Sequence, residues 1–237
     1  MKNILISISR VIFWLIPGEL RSSLLQKTLS VDSLITKNST FESYEYFKET
    51  FKTTVLFRDC RDLRKYAIEK AISNNNQKEL FSLEFGVWKG DSTNFFSKYV
   101  KKLYAFDSFE GLGEDWRGNR DMPKGAFNLD KKIPELNSNI EPVVGFVQDT
   151  LDDFLIKYHP KINFVHFDMD TYSPTKYTLE RIKPLLVKDA ILVFDELYNY
   201  PGFQEGELKA LKEVFNDDEY IFKAFNVLGT QVVIQIK

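Results

Sequence analysis

The 237-residue chain contains one cysteine and two histidines. Cys60 has no partner for an intrachain disulfide, and no Cys/His group has the spacing of a zinc site. An ordinary half-buried thiol is expected there, and such sparse cysteine fits a reducing, cytoplasmic setting. A dominant charge is also missing. The 32 Lys+Arg and 34 Asp+Glu leave a net charge of −2, so no basic field exists to hold a polyanion, and nucleic acid is not an expected partner. Internal repeats and low-complexity tracts are absent.

An apolar run long enough to span a bilayer, about 20 residues, is lacking as well. The nearest approach is 4–16, which is nearly all apolar but is interrupted by Arg10 and stopped by Pro17-Gly18. Arg10 and the absence of a small-residue cleavage site speak against a signal peptide. Two readings stay open for residues 1–16. One is a helix packed on its own domain or on a second copy in a homodimer; the other is peripheral contact with a membrane.

What remains is ordinary globular material, 43% hydrophobic and 28% charged, enough for one α/β domain with an N-terminal extension. Residues 1–59 read as a helical extension serving as oligomer contact, lid or membrane-proximal segment, and 60–237 as the main domain. Within the extension, Tyr44, Phe47 and Phe51 have helical spacing. From residue 80 onward short apolar runs alternate with helical stretches. The runs are 80–85, 103–106, 143–147, 162–167 and 190–194; the helices are 92–100, 151–157, 175–187 and 205–215, preceded by one at 58–73. Such alternation predicts a parallel sheet with right-handed crossovers. The runs 220–224 and 231–236, joined through Gly229 without a helix, add an antiparallel hairpin. The expected fold class is therefore α/β and Rossmann-like: a seven-stranded, mostly parallel sheet with a terminal antiparallel hairpin and helices on both faces. Residues 108–140, long and rich in Gly, Pro, Asp and Asn, are expected to form a lid over the ligand edge.

In open α/β sheets ligands bind beyond the carboxyl ends of the strands. The first strand ends in Leu83-Glu84-Phe85-Gly86-Val87-Trp88-Lys89-Gly90-Asp91-Ser92. Gly86 suits a sharp turn and Gly90 a helix start close to the sheet. Amides at that start, with the Ser92 hydroxyl, suit the carboxylate of an amino-acid-bearing nucleoside, and Glu84 its amino group. Asp107 ends the second strand 21 positions after Gly86, where an acid accepts ribose hydroxyls. A dinucleotide site prefers Gly-x-Gly-x-x-Gly; here Trp88 stands two positions after Gly86, and its bulk would crowd a pyrophosphate. Ser108 follows Asp107 at the same edge. Gln148 and Asp149 are read as ending the third strand and facing an adenine, with a helix N-cap as the alternative for Asp149.

The fourth strand ends in Phe167-Asp168-Met169-Asp170 and the fifth in Phe194-Asp195-Glu196. Four carboxylates meeting at one sheet edge repel one another and call for a cation. Oxygen-only ligands favour Mg²⁺, which lowers the pKa of a bound hydroxyl while a spare carboxylate takes its proton. Helix capping and salt bridging are the alternative roles for these acids. By strand alternation His166 shares a face with Asp168, either supporting it or serving as a hydrogen-bonded core histidine. His159 is expected on the surface.

The segment 84–92, the run Tyr104-Ala105-Phe106-Asp107-Ser108-Phe109-Glu110-Gly111-Leu112, the run 167–175 and the run 193–196 together resemble the macrocin O-methyltransferase family (TylF/MycF/NovP-like), over about residues 60–237. The resemblance implies a class I methyltransferase using S-adenosylmethionine, with cofactor contacts at Glu84, Gly86, Ser92 and Asp107. It also implies Mg²⁺ at Asp168, Asp195 and Glu196, Asp170 as general base, and a glycosyl or other small-molecule hydroxyl as acceptor. The departure is Asp195-Glu196, where tailoring members of the family carry Asp-Asp, and this puts metal geometry and acceptor in question. Trp116, Tyr198, Tyr200 and Phe203 are candidates for the acceptor pocket or for packing. Metal-independent transfer and a non-catalytic, methyltransferase-like scaffold are the competing functions.

Overall fold

In the computed structural model residues 15–74, 79–116 and 122–237 are described; of the expectations above, those on residues 1–14 lie outside them. Eight strands form one sheet in the order β1-β7-β8-β6-β5-β2-β3-β4. They are β1 (Val55–Phe57), β2 (Leu80–Phe85), β3 (Leu103–Asp107), β4 (Ile140–Val144), β5 (Lys161–Phe167), β6 (Leu186–Phe194), β7 (Tyr220–Asn226) and β8 (Val232–Ile236). All neighbours pair in parallel except β8, which runs antiparallel to both β6 and β7. The terminal hairpin is as expected, with β8 inserted between β6 and β7.

Helices α1 (Gly18–Leu29) and α2 (Val31–Phe47) precede the sheet, and α3 (Cys60–Asn74), α4 (Asp91–Ser97), α5 (Val147–Tyr158), α6 (Tyr172–Ile182) and α7 (Glu207–Val214) connect its strands. On one face Leu63, Ala67, Ile68 and Ala71 of α3 and Phe96 of α4 pack against Phe164, Ile191 and Val193. On the other, Leu151, Phe154, Leu179, Ile182, Leu208 and Leu211 of α5 to α7 cover Leu83, Phe85, Val165, Phe167, Leu192 and Phe194. The central strands are thus covered on both sides, which is why they read as continuous apolar runs.

Three expectations need correction. The sheet has eight strands, not seven, because the three-residue β1 adds to the edge beside β7. Helix α2 docks through Ser39, Ser43 and Phe47, all buried at i, i+4 and i+8, while Tyr44 is exposed and Phe51 lies in the short turn beyond the helix; of the three aromatics only Phe47 belongs to the helix's buried face. Finally, β4 ends at Val144, so Gln148 and Asp149 do not end a strand. They lie in the first turn of α5, whose N-cap is Phe146. Pro142 within the edge strand and Gly145 after it shorten the run. Cys60 is half-buried and His159 is exposed, closing α5 in a left-handed conformation.

Candidate active site

The carboxyl ends of β2, β3, β5 and β6 open onto one cavity of about 910 Å³. Gly86, Ser92, Asp107, Ser108, Gln148, Asp149, Asp168, Asp170, Asp195 and Glu196 line it, so most of the expected site residues are brought together. Glu84 and Gly90 are not in its wall. Glu84 lies buried just behind, at the end of β2. Gly90 caps α4 in a left-handed conformation, and a Cβ there would meet Leu136 at 2.8 Å. Its role is close packing against the 108–139 segment rather than against the sheet.

Gly86 has φ +93°, and a Cβ on it would lie 1.8 Å from the Asp168 carbonyl oxygen. Only glycine lets β2 and the end of β5 meet this closely. Asp107 organises the same turn: its Oδ2 accepts the amides of Val87 and Trp88, each at 2.8 Å, and its Oδ1 that of Phe109 at 2.7 Å. Trp88 projects into the open side of the cavity against Phe127, with the Lys89 ammonium over its ring.

The long connection after β3 forms a wall of the cavity. Glu110, Leu112, Glu114, Trp116, Lys124 and Phe127 all line it. Phe109 is buried as an anchor, and its carbonyl accepts the amides of Leu129 and Lys131. Glu114 accepts hydrogen bonds from the Ser173 amide (3.1 Å) and hydroxyl (2.8 Å), fastening this wall to α6. Trp116 packs edge-on to Tyr200, ring centroids 5.8 Å apart. Tyr198 and Phe203 are core residues that do not line the cavity, and the Tyr198 hydroxyl donates to the Asn226 carbonyl.

At the acidic edge the carboxylates divide into two sets. Asp195 Oδ1 accepts from Arg64 (2.9 Å), faces His166 Nε2 (3.2 Å) and accepts from the Gln231 amide. The other ring nitrogen of His166 lies 2.9 Å from Glu84 Oε1. Burial opposes a charge on His166, yet the hydrogen bonds to Asp195 and Glu84 prevail and push its pKa up to about 9. Burial likewise opposes ionisation of Asp195, and His166 with Arg64 more than compensates, holding it below the usual carboxylate range.

In the second set burial outweighs the available partners, which are His166 and Arg64 near Asp168 and Glu196 beside Asp170. Burial and the Asp195 charge push Asp168 well above its ordinary value and Asp170 to about 7. Burial and the same neighbouring charges raise Glu196. Carboxylate oxygens of Asp168, Asp170 and Glu196 lie within 4.8 Å of one another, and Glu196 Oε2 is buried without a hydrogen-bond partner. Three enclosed acids of this kind fit a hard divalent cation. Asp170 also sits at φ +62°, a conformation that costs a non-glycine residue about 1–3 kcal/mol and is concentrated at functional sites.

Two contributors were not expected from sequence. Arg64 comes from α3, one position after buried Leu63, and a charge on the rim of a buried helix face was its signal. Glu207 is fully buried on α7 beside Leu208 and Leu211, and its Oε2 accepts the Glu196 amide at 3.0 Å; an acid on the apolar face of a helix was the signal there.

An open, mostly parallel sheet with an inserted antiparallel strand, a glycine turn and an acidic edge defines a Rossmann-like, methyltransferase-type fold. Residues 83–197 match the family model described as a methyltransferase domain, and the chain is an enzyme of the methyltransferase class. Among solved structures, the calicheamicin methyltransferase CalS11 is similar at 19% identity, with 93% of this chain and 86% of that chain covered and a TM-score of 0.55. An apo structure of CalS11, described as a TDP-rhamnose 3'-O-methyltransferase, aligns at 18% identity over 87% and 95% of the two chains, with a TM-score of 0.54. The O-methyltransferase NovP is 20% identical over 75% of this chain and 79% of its own, with a TM-score of 0.56. These likenesses concern the fold. No curated protein matches the chain in sequence.

Proposed function

We propose that this chain is a macrocin-type O-methyltransferase that transfers the methyl group of S-adenosylmethionine to a hydroxyl of a glycosyl or other small-molecule acceptor, assisted by Mg²⁺. The observation that carries the reading is the meeting, in one cavity, of the glycine turn and an acidic edge where Asp168, Asp170 and Glu196 are buried close together. That CalS11 and NovP are O-methyltransferases by description, CalS11 acting on a TDP-rhamnose, supports a sugar as the first acceptor class to try.

For the cofactor, Glu84 Oε2 is buried with no hydrogen-bond partner, an unmet acceptor that suits an ammonium group. In this reading Glu84, Gly86, Gly90 and Ser92 shape the methionine end, Asp107 and Ser108 the ribose end, and Gln148 and Asp149 the adenine end. Asp168 and Glu196, with the remaining oxygen of Asp195, would hold Mg²⁺, which when bound supplies positive charge that lowers the pKa of an acceptor hydroxyl. Asp170 takes the hydroxyl proton as the acceptor oxygen bonds to the methyl carbon and the sulfur–carbon bond breaks. Catalysis then rests on positioning and on charge in an enclosed site.

Metal-free transfer is the second reading, favoured by the way Arg64 and His166 already neutralise Asp195 and Glu84. Isothermal titration with S-adenosylhomocysteine tests the common ground: micromolar to submillimolar binding is expected, and no heat at millimolar ligand removes both readings. Turnover that survives complete chelation of divalent ions selects the second.

A further inference from the structure

His166 stands on the central strand β5 with Glu84 of β2 directly opposite in register on one side and Val193 of β6 on the other. Asp195 follows two positions after Val193 and so projects on the same face. The result is a buried line of side chains across three strands. Glu84 Oε1 lies 2.9 Å from Nδ1 of the ring, and Nε2 lies 3.2 Å from Asp195 Oδ1. His166 thereby bridges the two carboxylates, one through each ring nitrogen. The ring is wholly buried, leaving no water to take over either bond.

Each carboxylate is thereby held by one oxygen. Glu84 keeps Oε2, which is buried and has no partner. Asp195 receives Arg64, His166 and Gln231 all on Oδ1. Arg64 touches only the Asp195 end, so the two ends of the line can be disturbed separately.

We infer that His166 is a positioning residue that ties the cofactor end of the site to its acidic edge, orienting Glu84 for an ammonium group and Asp195 for a divalent cation through one imidazole ring. The inference rests on the reading that the glycine turn takes S-adenosylmethionine. Side chains that orient ligand-binding groups in this way typically change affinity by about 10–100-fold when replaced. Loss of His166 therefore weakens both ligands, whereas loss of Arg64, which bonds Asp195 alone, leaves the cofactor end undisturbed.

The test measures S-adenosylhomocysteine and Mn²⁺ affinities by titration calorimetry for wild type, His166→Gln and Arg64→Met, with circular dichroism confirming the fold. Expected are dissociation constants raised roughly ten-fold for both ligands in His166→Gln, and an unchanged S-adenosylhomocysteine constant in Arg64→Met. Should His166→Gln not fold, the wild-type protein still decides. Its two histidines give resolvable imidazole resonances in nitrogen-15 NMR. S-adenosylhomocysteine is expected to shift the Nε2 signal of His166, the nitrogen facing Asp195, and Mg²⁺ the Nδ1 signal facing Glu84. Normal S-adenosylhomocysteine binding with both ligands unaffected in His166→Gln, or with only the near nitrogen responding in the wild type, overturns the coupling alone. No S-adenosylhomocysteine binding by the wild type overturns the site reading and the coupling with it.

Discussion

Asp170 shows how much a single residue is asked to do here. Its backbone is left-handed, its side chain is buried, and burial together with the Asp195 charge raises its pKa to about 7. Asparagine accepts the same backbone conformation readily, so Asp170→Asn is expected to fold as the wild type does. It lacks the proton-accepting carboxylate, and turnover should fall by at least about 100-fold, the usual contribution of a positioned base. S-adenosylhomocysteine binding should be retained. Undiminished turnover in a folded Asp170→Asn protein would remove Asp170 from the reaction. At this scale the sequence was most legible where a residue type has one use. Asp168, Asp170, Asp195 and Glu196 at strand ends were foreseen as one group; the structure brings the oxygens of Asp168, Asp170 and Glu196 together and places Asp195 with Asp168 and His166 instead. The pairing of Asp195 with Arg64 was not foreseen, because it joins residues 131 positions apart and no local spacing encodes it. Asp107 was expected to face a ribose; that it also collects three backbone amides depends on how the turn closes in three dimensions.

Among the elements, the connection between β3 and β4 carries the most specific expectation. Read from sequence as a lid, it lines the cavity through Ser108, Leu112, Trp116, Lys124 and Phe127 and is tied to α6 by the Glu114 carboxylate on Ser173. These two bonds are solvent-exposed and modest, so their loss should loosen the wall without unfolding the domain. Glu114→Ala is expected to raise the acceptor KM several-fold while leaving S-adenosylhomocysteine affinity unchanged, with faster amide exchange in residues 108–116 seen by mass spectrometry. Unchanged exchange would show that Phe109 and Trp116 alone hold the wall. The central strands and their connecting helices were legible because burial on both faces imposes continuous apolar runs. Two elements escaped for physical reasons. β1 is three residues long with Val55 and Leu56 exposed, so it shows neither alternation nor a buried run. β4 is an edge strand interrupted by Pro142 and half-buried, and its apolar residues ran on without a break into those of α5.

For the whole molecule, the N-terminal helices pose the remaining question. Phe47 enters the core against Tyr198, Phe222 and Phe225, which fixes the end of α2 on the domain. Farther out, Leu15, Leu20, Val31, Leu34 and Phe41 are each more than half exposed. A run of apolar side chains from α1 to α2 exceeds the scattered exposure normal on a monomer. Among the described residues no helix is long and apolar enough to cross a membrane. A second copy of the chain is the occupant expected on this surface, since self-association buries the same patch on both partners. Light scattering after size exclusion should therefore give twice the 27.7 kDa chain mass for the full-length protein and a single chain mass for a protein beginning at Gly18. If both forms are monomers and only the longer one floats with anionic liposomes, the surface belongs against a lipid headgroup layer instead. The cavity opens at the carboxyl ends of β2, β3, β5 and β6, whereas α2 packs on β7 and on the 198–203 loop after β6, and no described residue of α1 or α2 lines the cavity. Truncation should accordingly leave S-adenosylhomocysteine affinity intact, and a parallel loss of that affinity would show that the residues before Gly18 help to complete the site.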